Sequence, residues 1–363
     1  MGAVRQGGSS LLGTDLPLIQ APMAGVQGSA LATAVSNAGG LGSLPAAMLT
    51  PDGLRDEIAA LTAHTSRPYN INFFCHEPAP SDIEREARWL ALLAPYYLEF
   101  GVDPATLPRG PERAPFDHDA ADVAAQFKPP VVSFHFGLPS KELLDRIRAW
   151  RPTIVSSATT VDEARWLEAH GADAIVAQGL EAGGHRGTFL SHDPATQVGT
   201  FALVRQIVRA VSVPVIAAGG VADAEGVAAA LALGAIAVQV GTAYLLCPEA
   251  TTSRVHRDAL SSPAANETTL TNIFSGRLAR GIVNRLVREL GPINSLAPGF
   301  PRAAVAVGPL RASAEARGSS DFSPLWAGQN AALCKNISAA DVTRELAGHL
   351  GFAAGPAGPH RDR

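Results

Sequence analysis

The chain has 363 residues and a formal net charge of −4, with 47% hydrophobic and 17% charged residues. Such a length supports a sizeable core in one large or two ordinary domains, and a mildly acidic balance without any basic run excludes an electrostatic footprint for nucleic acid or an anionic membrane. The three cysteines, Cys75, Cys247 and Cys334, are far apart and odd in number, which excludes a disulfide framework and a thiolate metal cage. No apolar run is long enough for a membrane span and no signal core opens the chain. The expectation is a cytoplasmic protein, monomer or homodimer, that acts on a small molecule.

Residues 16–20 read as a short apolar strand, followed by Ala21-Pro22-Met23 and an alanine-rich helix over 29–37 that Gly39-Gly40 stops. Residues 41–45 form a second strand. Thr50 then caps a helix with Pro51 at its first position, and YNINFF at 69–74 is a third strand. From about 75 to 130 the rhythm breaks into an insertion, with a helix over 82–100 and a proline-rich polar stretch placed to shape or cover a site. Strands resume at 131–136, 153–158, 174–179, 213–219 and 235–240, trailed in turn by helices over 141–150, 161–170, 201–211 and 222–233 before the last.

Eight strands alternating with helices predict an α/β fold with a parallel sheet, closed as a (β/α)8 TIM barrel over residues 11–250. An open doubly wound sheet is the alternative, but no G-x-G-x-x-G follows the first strand. A helical C-terminal extension over 251–351, with helices around 254–259, 281–290, 309–317 and 339–349, is expected to pack on the barrel rim. Residues 352–363 read as a disordered tail.

In such a barrel the C-terminal strand ends share one mouth. They collect Ala21, Pro22 and Met23, then Asn72, Ser133 and His135, then Gln178 and a glycine-rich turn carrying Gly183 and His185. Gly219, Gly220, Gln239, Gly241 and Thr242 complete the set. Glycine turns at a helix N-terminus bind phosphate through backbone N–H groups, and Asp223 is placed to cap the helix after Gly219-Gly220. Asn72, Gln178 and Gln239 offer uncharged donors and acceptors that suit the edge of a neutral conjugated ring. No metal site is expected, because His135 and His185 lie on different elements without a carboxylate pair or H-E-x-x-H spacing. Taken alone, a Gly-Gly-His is a weak motif and reads first as a polar βα loop with a solvated histidine.

Nine blocks, QAPMAGV, SNAGGLGS, NINFFCH, VSFHFG, AQGLEAGGHRG, AAGGVAD, VQVGTAYLLCPE, FSGRLARGIVNR and LWAGQ, run in this order from residue 20 to residue 329. Together they resemble the class I nitronate monooxygenases, also called 2-nitropropane dioxygenases. The resemblance implies an FMN-dependent barrel in which the phosphate cradle belongs to FMN. It implies that Ala21, Pro22 and Met23 run along the flavin ring with Asn72 and Gln178 as its polar contacts. Gly183, Gly219, Gly220, Gln239, Gly241 and Thr242 would complete the cofactor contacts.

His185 matches the family's catalytic histidine, and His135 is similar to a second active-site histidine. The implied reaction oxidises alkyl nitronates, and possibly nitroalkanes, with O2 to a carbonyl compound and nitrite. An imidazole with an ordinary pKa of about 6.5 suits this, as a base toward a nitroalkane or as a cation that orients a nitronate. An NAD(P)H-dependent flavin reductase of quinones or enoyl thioesters on the same barrel is the alternative.

Relatives of this kind line the pocket with several tyrosines and a lysine, whereas this chain has 4 Tyr in all. Phe300, Ala304, Gly308 and His256 stand where those residues would come. That implies a less polar, roomier pocket, with Arg277 or Arg302 as the substitute cation.

Overall fold

Parallel strands need crossovers, and the helices between them supply these. The computed structural model describes residues 11–77, 79–106 and 114–348, so the tail expected over 352–363 lies outside it. The strands are β1 (Leu18–Gln20), β2 (Gly42–Pro45), β3 (Tyr69–Phe74), β4 (Val131–His135), β5 (Thr153–Ala158), β6 (Ala174–Gln178), β7 (Gly184–His185), β8 (Val215–Ala218), β9 (Ala237–Val240), β10 (Thr268–Thr271) and β11 (Ala279–Ile282). The helices up to β9 are α1 (Ser29–Asn37), α2 (Pro51–His64), α3 (Ile83–Phe100), α4 (His118–Phe127), α5 (Lys141–Arg148), α6 (Val161–Ala169), α7 (Thr200–Ala210) and α8 (Ala224–Ala232).

Eight parallel strands run in the order β1-β9-β8-β6-β5-β4-β3-β2. A parallel bridge between Ile19 and Leu41 joins the two ends of that order. There Leu41 N–H donates to the Leu18 carbonyl at 2.8 Å and Gln20 N–H to the Leu41 carbonyl at 2.9 Å, so the sheet closes as the expected barrel. Inside it, Ile19, Leu41, Val131, Val155, Val176 and Ile216 are buried together as a packed filling. Helix starts follow the local chemistry: Thr50, Asp82 and Asp223 each accept an N–H from the first turn that follows.

The register levels the polar strand ends. Gln178 and Gln239 both pair with Ala218, and Asn72 pairs with Ser133. These side chains therefore reach the mouth at matching heights.

Two expectations need correction. The extension is not helical throughout: β10 pairs antiparallel with β11, and β11 pairs in turn with β7, His185 lying opposite Ala279. Residues 281 and 282 are strand, because Gly281 lets the backbone pass a segment that a Cβ would meet at 2.8 Å (the Leu325 carbonyl), and Ile282 N–H bonds that carbonyl. Helices α9 (Arg254–Leu260), α10 (Arg285–Leu290), α11 (Ala303–Ala316) and α12 (Ala339–Ala347) make up the helical share. The insertion also holds a second helix, α4, capped by Asp117.

Insertion and extension pack on each other. Trp89, Leu93, Tyr96, Tyr97 and Phe100 of α3 share one buried cluster with Phe274, Val307, Leu310 and Phe322. Tyr97 donates to the Ala306 carbonyl at 2.7 Å, and Arg285 pairs with Glu99 at 2.7 Å. No helix among the described residues is long and apolar enough to cross a membrane.

Candidate active site

The segment from Gly179 to Thr188 leaves β6, crosses the mouth and is pinned by three arginines. Arg186 is fully buried and donates to the carbonyls of Gly179 at 2.7 Å and Gln178 at 2.6 Å. Arg280 on β11 donates to the Leu180 carbonyl at 2.9 Å, and Arg277 donates to the Thr188 carbonyl. Gln178 fastens the middle of the segment: its Nε2 donates to the His185 carbonyl at 2.9 Å, while its Oε1 accepts from Gly187 N–H at 2.8 Å. Gly183 is a steric requirement, since a Cβ there would stand 2.6 Å from the backbone of Ala327 and Gly328.

This pinned segment presents His185. Its Nε2 lies 2.8 Å from the Ser275 hydroxyl, a residue of the extension. The ring is surrounded by aromatic faces, with centroids at 5.2 Å to Phe300, 5.4 Å to Trp326 and 6.3 Å to Phe136.

His135, at the end of β4, has both ring nitrogens engaged. Nε2 faces the His185 carbonyl at 3.2 Å and Nδ1 the Ser157 hydroxyl at 2.5 Å. A carbonyl only accepts, so the proton sits on Nε2 and Ser157 donates to Nδ1. Burial, reinforced by the positive charge of Arg277, pushes the His135 pKa down to about 3. The next residue, Phe136, holds a left-handed backbone at φ 71°, an uncommon position for a bulky side chain, and carries the Arg277 guanidinium 3.9 Å above its ring.

All the expected site residues line one cavity: Ala21, Pro22, Met23, Asn72, His135, Gln178, Gly183, His185, Gly219, Gly220, Gln239, Gly241 and Thr242. Gly219 and Gly220 have φ of 120° and 72°, and the turn leads into α8 with Asp223 as its cap. Among the described residues, no Asp, Glu, Lys or Arg side chain lines the cavity, and no metal-binding cluster occurs. Glycine turns beside a helix N-terminus, neutral amides and apolar walls fit a planar conjugated ring with a phosphate tail.

The family model described as nitronate monooxygenase matches residues 8–348. The chain belongs to the nitronate monooxygenase family. A nitronate monooxygenase of Paraburkholderia phytofirmans is 45% identical over 339 residues, 93% of this chain and 92% of the relative. The crystal structure of a nitroalkane oxidase from Streptomyces ansochromogenes superposes with a TM-score of 0.85 at 38% identity, covering 94% of this chain and 97% of that one. FabK from Thermotoga maritima is less similar, at TM-score 0.67 and 27% identity over 93% of each chain.

Of the four positions read as departures from the nitronate monooxygenase pattern, His256 lines the cavity, whereas Phe300, Ala304 and Gly308 are not among its lining residues. None of the four tyrosines lines the cavity. Tyr96 and Tyr97 pack under the extension, Tyr244 bonds Thr343, and Tyr69 lies in the core beneath α2. Of the two candidate substitute cations, Arg302 is committed elsewhere, donating to the Ala79 carbonyl at 3.0 Å and pairing with Glu86 at 3.3 Å, whereas Arg277 donates to Thr188 and lies over the Phe136 ring but keeps a buried Nε without a hydrogen-bond partner.

Residues that the sequence reading left unassigned complete the site. Ser157 precedes the last residue of β5, so its place at a strand end was available as a signal. Ser275 and Trp326 fall inside the FSGR and LWAGQ blocks, but a serine and a tryptophan there carry no catalytic signature of their own. Nothing local marks Asn330, which donates to the Gly220 carbonyl at 2.5 Å.

Proposed function

We propose that this member of the nitronate monooxygenase family binds FMN at the barrel mouth and oxidises alkyl nitronates with O2 to a carbonyl compound and nitrite. The observation that carries this reading is the fixed placement of His185 in the same uncharged cavity as the glycine turns and the strand-end amides. The family is one of flavin-dependent oxidoreductases. When bound, FMN supplies the redox chemistry, accepting electrons from the nitronate for delivery to O2.

The chain's own groups do the rest. Gly219, Gly220, Gly241 and Thr242 would hold the phosphate beside the N-terminus of α8, and Ala21, Pro22 and Met23 would hold the ring. Asn72, Gln178 and Gln239 would offer it uncharged donors and acceptors, and Gly183, without a Cβ, would let the loop backbone approach it. Gln178 and Asn72 each spend donors on the protein, on the His185 carbonyl and on Ser133 Oγ at 2.9 Å, so they act partly by stiffening the site.

His185 handles the proton. Neutral, its imidazole takes the proton from the carbon next to a nitro group; charged, it orients the anionic nitronate. Ser275 fixes the ring, and the aromatic residues around it exclude water. His135 is a positioning residue, because both of its nitrogens are engaged and it stays neutral over the working pH range.

The test is oxygen uptake by the FMN-loaded protein with a panel of alkyl nitronates, run alongside anaerobic bleaching by NADH and NADPH. Fast uptake with nitrite release and no bleaching is expected. Rapid bleaching by a nicotinamide, with nitronates inert, would reassign the chemistry to a reductase of the same barrel.

A further inference from the structure

We propose that the Ser133 hydroxyl is a hydrogen-bond donor to the bound flavin ring, and that it holds the reduced ring more tightly than the oxidised one. The inference rests on the FMN reading above and assigns a task to a strand residue that the reading does not use.

Ser133 stands on β4 directly opposite Asn72 on β3, and both side chains line the cavity. Alternation along β4 sends Val132 and Phe134 outward into the core against α2 and α5 and leaves Ser133 inside the barrel, 7% exposed. Two amides converge on it. Asn70 Nδ2 donates to Ser133 Oγ at 2.8 Å, and Asn72 Nδ2 donates to the same atom at 2.9 Å. A hydroxyl oxygen has two lone pairs and one hydrogen. Both lone pairs are therefore filled, and the hydrogen finds no acceptor among the described residues. What is open to it is the cavity.

The amides could take that hydrogen only if they were turned over, and their surroundings hold them as they are. Asn72 Nδ2 also faces the Ser133 carbonyl at 3.3 Å, which only accepts, so a nitrogen must stand there. Asn70 Nδ2 is shared with Ser43 Oγ at 3.0 Å, while its Oδ1 is buried without a partner. Turning Asn70 would bury two unpaired N–H bonds in place of one unpaired carbonyl, and the unpaired donor is the less tolerated of the two.

The two neighbouring residues thus offer a ligand one donor and one acceptor: Ser133 O–H and, with its Nδ2 spent, Asn72 Oδ1. An N–H beside a carbonyl is the complement of that pair, and the imide edge of the flavin ring carries both. This edge gains negative charge when the ring is reduced. A hydrogen bond to an ionised acceptor is about twice as strong as one to a neutral acceptor, so the Ser133 donor favours the reduced ring and eases electron transfer from the nitronate.

The experiment is a redox titration of the FMN-loaded protein, wild type against Ser133→Ala, with FMN retention followed by absorbance. The ratio of affinities for reduced over oxidised FMN is expected to fall about tenfold in Ser133→Ala, a drop of about 30 mV in the two-electron midpoint potential. Ser133→Thr returns a hydroxyl and is expected to return the potential. Where Ser133→Ala does not retain FMN, Ser133→Cys, close in volume but a weak donor, gives the same reading. Ser156→Ala is the control, since Ser156 also lines the cavity but donates its hydroxyl to the Gly137 carbonyl at 2.8 Å, and its loss should leave the potential unmoved. An unmoved potential in Ser133→Ala or Ser133→Cys with FMN bound would overturn the inference while leaving the FMN reading intact. So would an equal drop in Ser156→Ala, or loss of FMN from both Ser133 variants, which would give the serine a part in holding either form of the ring. A wild-type protein that takes up no FMN would overturn both.

Discussion

The Nε2–H of His135 donates to the main-chain carbonyl of His185 across 3.2 Å, so one histidine of the site holds the other by its backbone. That bond fixes the tautomer, and Ser157 closes the other side of the ring. His135 therefore does not titrate near neutrality. In His135→Asn the kcat/KM profile from pH 5 to 9 is expected to keep its inflections while the overall level falls. Paired oxygen-uptake profiles check this, and an inflection lost in the variant would assign that titration to His135.

Stability should depend on the same burial. His135 and His256 have folded pKa values of about 3 and about 4, below the ordinary 6.5. Below pH 6.5 the unfolded chain binds protons that the folded chain refuses, so stability is fully present above that pH and falls as the solution is acidified. Each group contributes a slope of about 1.4 kcal/mol per pH unit between 6.5 and its folded pKa. Denaturant midpoints from pH 7 to 5 should fall, and they should fall less steeply in His256→Phe.

The barrel was legible because its signals are local. Thr50-Pro51, Asp82 and Asp223 announced helix starts that the structure keeps, and the β-branched and alanine-rich runs marked all eight barrel strands. The mouth residues followed, since a strand's C-terminal end is known once the strand is. What stayed hidden depends on pairing over distance. Gly184–His185 becomes a strand only because β11, some 95 residues later, lies beside it, and four-residue strands such as TTLT and ARGI carry too little periodicity to be read alone. Ser157 and Ser275 were silent for another reason: a serine acquires meaning only from the imidazole it faces.

His185→Asn removes the group proposed to move the proton. With nitroalkanes, where carbon must be deprotonated, kcat/KM is expected to fall by about 10² to 10⁴. Preformed nitronates skip that step, so their loss should be smaller. Unchanged turnover with both substrates would remove His185 from the chemistry.

Gln178→Leu cuts two ties of the loop. The His185 carbonyl keeps His135, but Gly187 N–H is left buried without an acceptor, a cost of about 1–3 kcal/mol. Gln178→Glu retains the acceptor for Gly187 but loses the donor to His185 and sets a buried carboxylate oxygen against that carbonyl. Thermal midpoints of both variants should therefore lie below that of the wild type, with kcat/KM reduced in both.

Ser275 reaches His185 from outside the barrel, so the extension takes part in the site. Its position depends on the following turn: Gly276 has φ 88°, and a Cβ there would lie 2.0 Å from the Pro298 carbonyl. Ser275→Ala deletes the Oγ that lies 2.8 Å from His185 Nε2 while leaving that turn intact. The imidazole then keeps its aromatic surroundings but loses the contact that sets its rotation about the Cβ–Cγ bond. kcat is expected to fall about tenfold with little change in KM, and the pH midpoint of kcat should move, because a hydrogen bond to one protonation state of the ring has been removed. Ser275→Thr returns the hydroxyl and should restore both. A loss of stability in Ser275→Ala with an unmoved pH midpoint would reduce Ser275 to a packing residue of the extension.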